Sequence, residues 1–340
     1  MRFVVLFWLV TRALVLAVLL ASGQTAALAH WDGAWYGSIA MHGYEFAPDG
    51  RQHNVAFFPL FPALAWPLVH AGMPWPVAGA IVANAAFLGA LALLFAWSRR
   101  LYDERTAQWC VALASLLPAS LFCTVDYPQS VFLLASAGAL FLYATQRAIG
   151  SGLSAAAASA ASVLGIPLIA ALLVEAIVRR RVLILAAALI GSLGIGAYVA
   201  FCAVTFGDPL AFVHAQHAWR HGFGFDRNAW LSIFASLGTI DGFRQNVQMV
   251  LVPAGLIAVL IEARHLGRLA TLYGLLALAV LLFSGTPFSV DRNAYAIAPV
   301  LVAIAALLRR APPLGYLILA VSAVLLVIDA GRFAHFAWVA

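Results

Sequence analysis

The chain has 340 residues, of which 64% are hydrophobic and only 9% are charged. Because a soluble domain carries about 25% charged residues, this composition excludes an ordinary water-soluble protein and predicts an all-α polytopic membrane protein with one domain over residues 1–340. The net charge of +6 comes from arginines in short clusters between apolar runs. Such clusters are typical of topology signals, and they argue against a nucleic-acid-binding groove.

Nine apolar runs are candidate membrane crossings, because about 20 apolar residues span the hydrocarbon layer and packed helices need fewer. The first run, within Met1–Ser22, has the look of a signal peptide but no convincing cleavage site, so we expect an uncleaved span. The predicted crossings are 3–22, 77–98, 108–123, 128–145, 182–205, 247–262, 269–285, 294–308 and 313–329.

The remaining apolar run, 153–178, decides the predicted topology. As one crossing it would place Arg179–Arg181 opposite the cluster at Arg99, Arg100 and Arg105, against the tendency of arginine to stay cytoplasmic. As a re-entrant pair of helices broken at Gly165-Ile166-Pro167, it returns the chain to the cytoplasmic side. We therefore predict nine crossings plus a re-entrant pair, with the N-terminus inside and the C-terminus outside.

The polar segments 23–76, 123–130, 206–246 and 286–293 then share the outer face, and interfacial helices are expected there. Asp32 follows the first span, where it is either a solvated loop residue, a general base or an oxygen ligand of a divalent cation. His42, Glu45, Asp49 and His53 fit no metal-ligand spacing, although the histidines are candidates to hydrogen-bond a phosphate or a sugar.

Two prolines close together in Asn54–Pro62 predict an irregular turn, either as a re-entry point or as an apolar groove for a polyprenyl tail. Asp126 before Pro128 suggests a helix N-cap, with substrate contact as the alternative.

Asp208 before Pro209 predicts the N-cap of a helix carrying His214 to His221. This helix is either an ordinary surface helix or a phosphate-binding element. Arg292 at the predicted start of a span also suits a phosphate, with Asp291 as a possible ion-pair partner. Arg12 lies inside the first span, where an arginine usually faces protein or water.

The motifs WDGAWYGSIAMHGYE (31–45) and AFFPLFP (56–62) resemble the first outer loop of the bacterial relatives of GPI mannosyltransferase II. That loop typically reads W-D-x-x-W/Y-Y-x-x-I-A-x-x-G-Y and then A-F-F-P-L-x-P. GDPLAFVHAQHAW-R (207–220) is similar to a later stretch of the same family. These are GT-C-type glycosyltransferases that use polyprenyl-phosphate sugars.

The resemblance implies transfer of a sugar, expected to be mannose, from a polyprenyl-phosphate donor to a lipid or glycan hydroxyl on the outer face of a bacterial inner membrane, with inversion. It implies Asp32 as the catalytic residue, and Arg220 and Arg292 as ligands of the donor phosphate. No metal ligands are assigned, although Mg²⁺ or Mn²⁺ stays open as a cofactor. The expected substrate-binding residues are Trp31, Tyr36, His42, Tyr44, Glu45, His53, Asn54, Phe58, Tyr127, Gln129, Gln216, His217, Trp219, Arg220 and Arg292.

The chain departs from the family pattern at three places. Tyr127-Pro128-Gln129 stands where the family has Tyr-Ser-Glu, 163–166 replaces Arg-Pro-Thr-Gly, and two residues separate Arg292 from Tyr295. The alternatives are a transporter or flippase of lipid-linked saccharides, and a catalytically inactive homologue that retains the fold.

Overall fold

A computed structural model describes residues 1–21, 23, 25–219, 224–239, 242–243, 246–285 and 287–339. This part of the chain is helical, and its only β-type pairing is an isolated bridge between Gly224 and Ser284. The α-helices are α1 Arg2–Leu20, α2 Asp32–His42, α3 Leu60–His70, α4 Trp75–Leu101, α5 Glu104–Leu116, α6 Gln129–Ala144, α7 Ala148–Ala161, α8 Gly165–Arg179, α9 Val182–Phe206, α10 Ala211–Ala215, α11 Arg227–Ser236, α12 Leu251–Ile261, α13 Ala263–Leu282, α14 Val290–Tyr295, α15 Ala298–Arg310 and α16 Pro312–Ala334. The predicted all-α class is confirmed.

Five of the described helices are long and apolar enough to cross a membrane: α1, α4, α9, α13 and α16. Together with the composition they make this a multi-pass membrane protein. The other predicted crossings are shorter helices, α5, α6, α12 and α15, of 11 to 16 residues. Two of them adjoin 3-10 segments, Pro118–Cys123 after α5 and Val247–Val250 before α12. The number of crossings stays a prediction.

The run 153–178 is a helical hairpin, but its break lies at 162–164 and not at the predicted Gly165-Ile166-Pro167. Gly165 begins α8, where a Cβ would overlap the backbone of Ser159, so only glycine allows this close turn. Pro167 lies in the first turn of α8, where a backbone N–H has no intrahelical partner to lose. At 14 and 15 residues, α7 and α8 are each about 21–23 Å long.

Small residues hold this hairpin against α9. A Cβ at Gly152 would lie 2.7 Å from the carbonyl oxygen of Ala187, so the two backbones approach closely. The Ser159 hydroxyl donates to the Gly191 carbonyl oxygen at 2.8 Å. Close packing through glycine and serine is a general means of associating helices in lipid. The hairpin is therefore fixed from its base to its tip.

Ion pairs join the helix connections at one end of the bundle, which we call the arginine end. The pairs are Arg309–Asp103 at 2.5 Å, Arg310–Glu262 at 2.7 Å and Arg268–Glu175 at 2.6 Å. Every arginine in these pairs comes from a predicted inner loop or its border, so the contacts agree with the predicted grouping. The side of the membrane that this end faces stays a prediction.

Arg12 is buried in the bundle and ties α1 to the segment that follows α5. Its Nη1 donates to the carbonyl oxygen of Ser120 at 2.8 Å and to the Thr124 hydroxyl at 2.6 Å. Its Nη2 donates to the carbonyl oxygen of Ser115 at 2.9 Å, and its guanidinium lies 4.8 Å from the centroid of the Phe87 ring. The contacts show a structural role for this intramembrane arginine.

The opposite end of the bundle carries the polar segments and contains α2, α3, α10, α11 and α14. The predicted irregular turn over Asn54–Pro62 is only partly correct, because α3 already begins at Leu60. Pro59 is its N-cap and Pro62 lies in its first turn, and neither position needs a helical N–H. The 3-10 turn Asn54–Ala56 precedes it.

Candidate active site

A cavity of about 510 Å³ opens at this polar end. Its lining comes from segments far apart in sequence: the start of α2, the segment 52–58, the start of α6, the hairpin tip, the segment after α10, and α14. It contains eight of the sixteen predicted site residues: Asp32, Tyr36, Phe58, Tyr127, Gln129, Gln216, Trp219 and Arg292. The structure thus gathers half of the predicted residues around one space.

The central contact is an ion pair between Asp32 and Arg292, made through Arg292 Nη2 and one carboxylate oxygen. Arg292 is only 8% exposed, and its Nε and Nη1 have no hydrogen-bond partner among the described residues. Burial alone would lower the pKa of Arg292, but the Asp32 carboxylate outweighs it and the pKa is raised. The site therefore holds a permanent cation with N–H groups left over for another anion.

Asp32 is positioned by a hydrogen bond to Tyr127 and by the packing of the preceding residue, Trp31. It is the first residue of α2, and its backbone N–H donates to the hydroxyl of Tyr127 at 3.1 Å. The preceding Trp31 has φ 57°, a left-handed conformation that is uncommon and strained for a tryptophan. Its ring stacks on Phe336 with centroids 4.6 Å apart. Trp31 therefore anchors the turn that presents Asp32 and does not itself line the cavity.

Arg292 sits on α14, a six-residue helix that is separate from α15. The predicted span 294–308 is corrected accordingly, because the helix breaks at Ala296-Ile297 and restarts at Ala298. The guanidinium of Arg292 lies 4.9 Å from the Tyr127 ring centroid and 5.3 Å from that of Phe122. These cation–π contacts fix its orientation toward Asp32.

Asp291 is not the ion-pair partner of its neighbour. It is buried, and its Oδ1 has no hydrogen-bond partner among the described residues. Burial raises the pKa of this carboxyl group to about 6. Asp291 therefore favours the neutral state more than an exposed aspartate does.

The wall facing the charge pair is aromatic and apolar. The Trp219 ring packs edge-on against Phe57 at 5.5 Å and against Trp35 at 5.6 Å. Gln216 donates from Nε2 to the Ala56 carbonyl oxygen at 3.0 Å, which ties the segment after α10 to the segment 52–58. Val163 at the hairpin tip completes this wall.

The helix predicted to begin at Asp208 differs in detail from its prediction. Leu210, not Asp208, is the N-cap of α10, and Asp208 instead accepts a hydrogen bond from the Leu210 N–H at 2.9 Å. The helix gives way after Ala215 to a 3-10 turn, Gln216–Trp219. Gln216 and Trp219 face the cavity, whereas His217 is exposed and lies outside it. Arg220 lies outside the described residues.

Neutral polar groups complete the lining. Gln129 is 5% exposed, and its Oε1 has no hydrogen-bond partner among the described residues. The cavity also presents the side chains of Gln52, Ser162, Ser289 and Asn293. Amides and hydroxyls both donate and accept hydrogen bonds, which suits the hydroxyl groups of a sugar.

Several predicted ligands serve the loop itself. Asn54 is buried, donates to the Gly43 carbonyl oxygen at 2.9 Å and accepts from the Glu45 N–H at 2.8 Å. The Tyr44 hydroxyl donates to the Phe57 carbonyl oxygen at 2.8 Å. Both side chains close the turn between α2 and the 3-10 segment, and neither lines the cavity.

The remaining charged predictions also lie away from the cavity. His42 ends α2 with an exposed side chain, and the Glu45 side chain is exposed as well. His53 pairs with Asp49 at 2.8 Å. In this conformation none of these three side chains lines the cavity, since each points to solvent or to a local partner, and their role as substrate ligands stays a prediction.

Asp126 is not the predicted helix cap, because Pro128 is the N-cap of α6 and receives no side-chain bond. The carboxyl group of Asp126 is fully buried, with neither oxygen hydrogen-bonded among the described residues. It packs where Gly33 and Gly79 leave room for it. Burial raises its pKa well above the ordinary value, because desolvation disfavours the charged carboxylate.

Sequence reasoning missed several lining residues. Phe57 belongs to a quoted motif but was not singled out, and Asn293 directly follows Arg292. Ser162, Phe288 and Trp338 carried no signal, because each reaches the cavity only through the way distant helices pack.

The described residues contain no group of three or more His, Cys, Asp or Glu that gathers as metal ligands. Arg292 occupies the position next to Asp32 that a divalent cation would take. The donor set around Asp32 does not fit a resident cation in this conformation.

No family model matches the sequence, and no curated protein matches it either. Solved structures do match. ArnT from Cupriavidus metallidurans bound to undecaprenyl phosphate aligns with a TM-score of 0.59 at 13% identity, over 87% of this chain and 59% of that one. The oligosaccharyltransferase of Archaeoglobus fulgidus aligns in its apo form at 0.56 and in its complex with Zn and sulfate at 0.55, each at 12% identity and over 98% of this chain.

The chain has the GT-C fold. At 12–13% identity the comparison defines architecture only. The chain spans 53–59% of the length of these solved structures.

Proposed function

We propose that this protein is a membrane glycosyltransferase that moves a sugar from a polyprenyl-phosphate donor to a hydroxyl acceptor, with inversion. The observation that carries the proposal is the Asp32–Arg292 pair: both residues line a cavity, and the Nε and Nη1 groups of the arginine have no hydrogen-bond partner among the described residues. A carboxylate beside a phosphate-binding cation is what this transfer requires. The proposal is in keeping with a GT-C neighbour whose structure holds undecaprenyl phosphate.

The reaction assigns one role to each member of the pair. Asp32 accepts the proton of the acceptor hydroxyl while the hydroxyl oxygen forms a bond to the anomeric carbon of the sugar. The bond between that carbon and the phosphate oxygen breaks on the opposite face, and the polyprenyl phosphate leaves with its negative charge beside Arg292. Asp32 becomes available as a base when the donor phosphate competes for the guanidinium.

The other lining residues orient the substrates. Phe57, Phe58 and Val163 offer an apolar surface to the first isoprene units, while Gln129 and Asn293 offer hydrogen bonds to the sugar. Gln129 takes the place of the family's glutamate, so this chain presents a neutral amide there. Mannose as the sugar rests on the first-loop resemblance, and a lipid or glycan as acceptor rests on it as well.

The orientation follows from the arginine bias. We place the cavity on the periplasmic face of a bacterial inner membrane, because the arginine end is the cytoplasmic signal. A transporter of lipid-linked saccharides would need a path through both leaflets. The polar residues that line the cavity around Asp32 lie at one end of the bundle, which weighs against that alternative.

The test is transfer from radiolabelled polyprenyl-phosphate-mannose by the purified protein in liposomes, with a panel of other sugars on the same lipid. We expect Asp32→Asn to lower transfer by 10² to 10⁴, the usual contribution of a general base. The matched control is Glu45→Gln, an exposed carboxylate of the same segment that lies outside the cavity. A chelator lane tests the divalent cation, and we expect activity to persist in it.

Near wild-type transfer by Asp32→Asn would overturn the catalytic assignment. Saturable donor binding without transfer of any sugar in the panel would overturn the enzyme and favour a transporter or an inactive homologue.

A further inference from the structure

A second cavity, of about 890 Å³, opens at the arginine end of the bundle. It lies between the starts of α1, α5 and α16 and the end of α15, far in sequence from Asp32. Three arginines line it, Arg105, Arg309 and Arg310, and no carboxylate does so among the described residues. The proposed transfer reaction leaves this space without a role.

The lining changes from charged to apolar with depth. Arg105 is in the first turn of α5 and Ala112 lies seven residues further into the bundle; Pro312 and Leu319 are related in the same way on α16. At 1.5 Å per residue, each pair spans about 10 Å along its helix. The cavity is therefore cationic at its mouth and apolar about 10 Å deeper.

Aromatic rings form the intermediate layer. Trp109 and Tyr316 lie with ring centroids 4.9 Å apart. A Cβ at Gly315 would lie 2.8 Å from the Trp109 ring, so the absence of a side chain at Gly315 allows the indole to pack against α16. Phe3 and Phe7 stack at 5.2 Å on the α1 side. The layer is built by packing and is not a chance exposure of single rings.

The cations at the mouth are only partly neutralised. Arg309 engages Asp103, and Arg310 engages Glu262. Arg105 is exposed and has no carboxylate within 4.0 Å among the described residues. Arg105 interacts electrostatically with Asp103 but forms no ion pair with it, so its N–H donors remain open to a headgroup.

We propose that this cavity binds an anionic phospholipid, with its phosphate at Arg105, Arg309 and Arg310 and the upper part of an acyl chain along Trp109, Tyr316 and Leu319. The change from charged to apolar lining with depth favours an amphiphile, because a free phosphate would contact only the arginines at the opening of the cavity. Basic pockets between membrane helices are suited to such headgroups. The site adds a lipid ligand at the end of the bundle opposite the proposed active site.

The test is thermal unfolding of the delipidated full chain in detergent, followed by tryptophan fluorescence. Three additions are compared: phosphatidylglycerol, phosphatidylcholine with the same acyl chains, and inorganic phosphate. We expect a saturable rise in melting temperature with phosphatidylglycerol alone. Arg105→Gln should weaken the apparent affinity about fivefold, the effect of one arginine near an anionic lipid.

The matched control is Arg147→Gln, which removes an exposed arginine of the same end that lies outside the cavity. It should bind phosphatidylglycerol as the wild type does. Equal shifts with phosphatidylcholine, a shift with inorganic phosphate alone, or equal losses in both variants would each overturn the site. Because the readout is unfolding, failure here is independent of any failure of sugar transfer.

Discussion

The carboxylate of Asp32 and the guanidinium of Arg292 meet across 260 residues of sequence. Each is placed by its own short helix, α2 and α14, and Tyr127 touches both, by a hydrogen bond to one and by its ring face to the other. The pair is largely shielded from water, with side-chain exposures of 18% for Asp32 and 10% for Arg292. A shielded pair resists separation until a competing anion arrives.

Substitution of Arg292 tests the phosphate-binding role. Arg292→Gln should lower kcat/KM for transfer at least 100-fold, because it removes the cation that stabilises the leaving group. Arg292→Lys should lose at least tenfold, since an ammonium group keeps the charge but not the planar set of donors. Initial rates over a range of donor concentrations give kcat and KM separately. Unchanged kcat/KM in a glutamine variant that melts like the wild type would remove Arg292 from the mechanism.

Asp291 predicts a pH dependence of stability. Its folded-state pKa of about 6 lies above the unfolded value of 3.8, so the stability associated with its protonated form is present below pH 4 and is lost as the pH rises through 6. Asp291→Asn should therefore be more stable than the wild type at pH 8, by up to about 3 kcal/mol, and equal to it near pH 4. Melting temperatures across this range supply the measurement, and parallel curves for the two proteins would contradict it.

Arg12 should be a determinant of stability and not of chemistry. Arg12→Leu leaves the carbonyl oxygens of Ser115 and Ser120 without their charged donor, which should cost about 2–3 kcal/mol. Denaturant unfolding in a fixed detergent measures the loss. Arg2→Leu, at the exposed start of α1, is the control and should change stability by less than about 0.5 kcal/mol. Equal effects of the two changes would show that the buried hydrogen bonds contribute nothing.

Two glycines on long helices should respond differently to the same change. A Cβ at Gly79 would lie 2.7 Å from Cγ of Asp126, so Gly79→Ala should destabilise by about 1–3 kcal/mol through overpacking. At Gly196 nothing lies within 4 Å, and Gly196→Ala should be neutral or stabilise by up to about 1 kcal/mol. The test is the order of the two melting temperatures, with Gly79→Ala expected to be the lower. The reversed order would mean that the Asp126 side chain moves to make room for the added methyl group.

Composition and hydropathy were enough to predict the class of fold, because apolar runs leave few choices in a membrane. Helix ends were harder. The break lies at 162–164 and not at the predicted Gly165-Ile166-Pro167, because glycine and proline suit the first turn of a helix as well as a break. The choice between the two is made by contact with the neighbouring helix, which sequence does not display.

Within the site, sequence identified Asp32 and Arg292 but not the reason they belong together. Asn54 and Tyr44 look like ligands in sequence, yet backbone carbonyls of their own loop satisfy them. No motif in the sequence marks Trp338 as a site residue, yet it lines the cavity. A polar residue reveals its function only when its partners are known, and most partners here are distant in the chain.

His30 donates a hydrogen bond from its Nδ1–H to the carbonyl oxygen of Phe333, 303 residues later, and Trp31 stacks on Phe336. During synthesis at 5–20 residues per second, roughly 15 to 60 s separate the two partners. Until residues 333–336 have been synthesised, His30 and Trp31 lack both of these contacts, and the strained conformation of Trp31 has no stacking partner at Phe336. The end of the chain therefore completes the surroundings of Asp32, the first residue of α2.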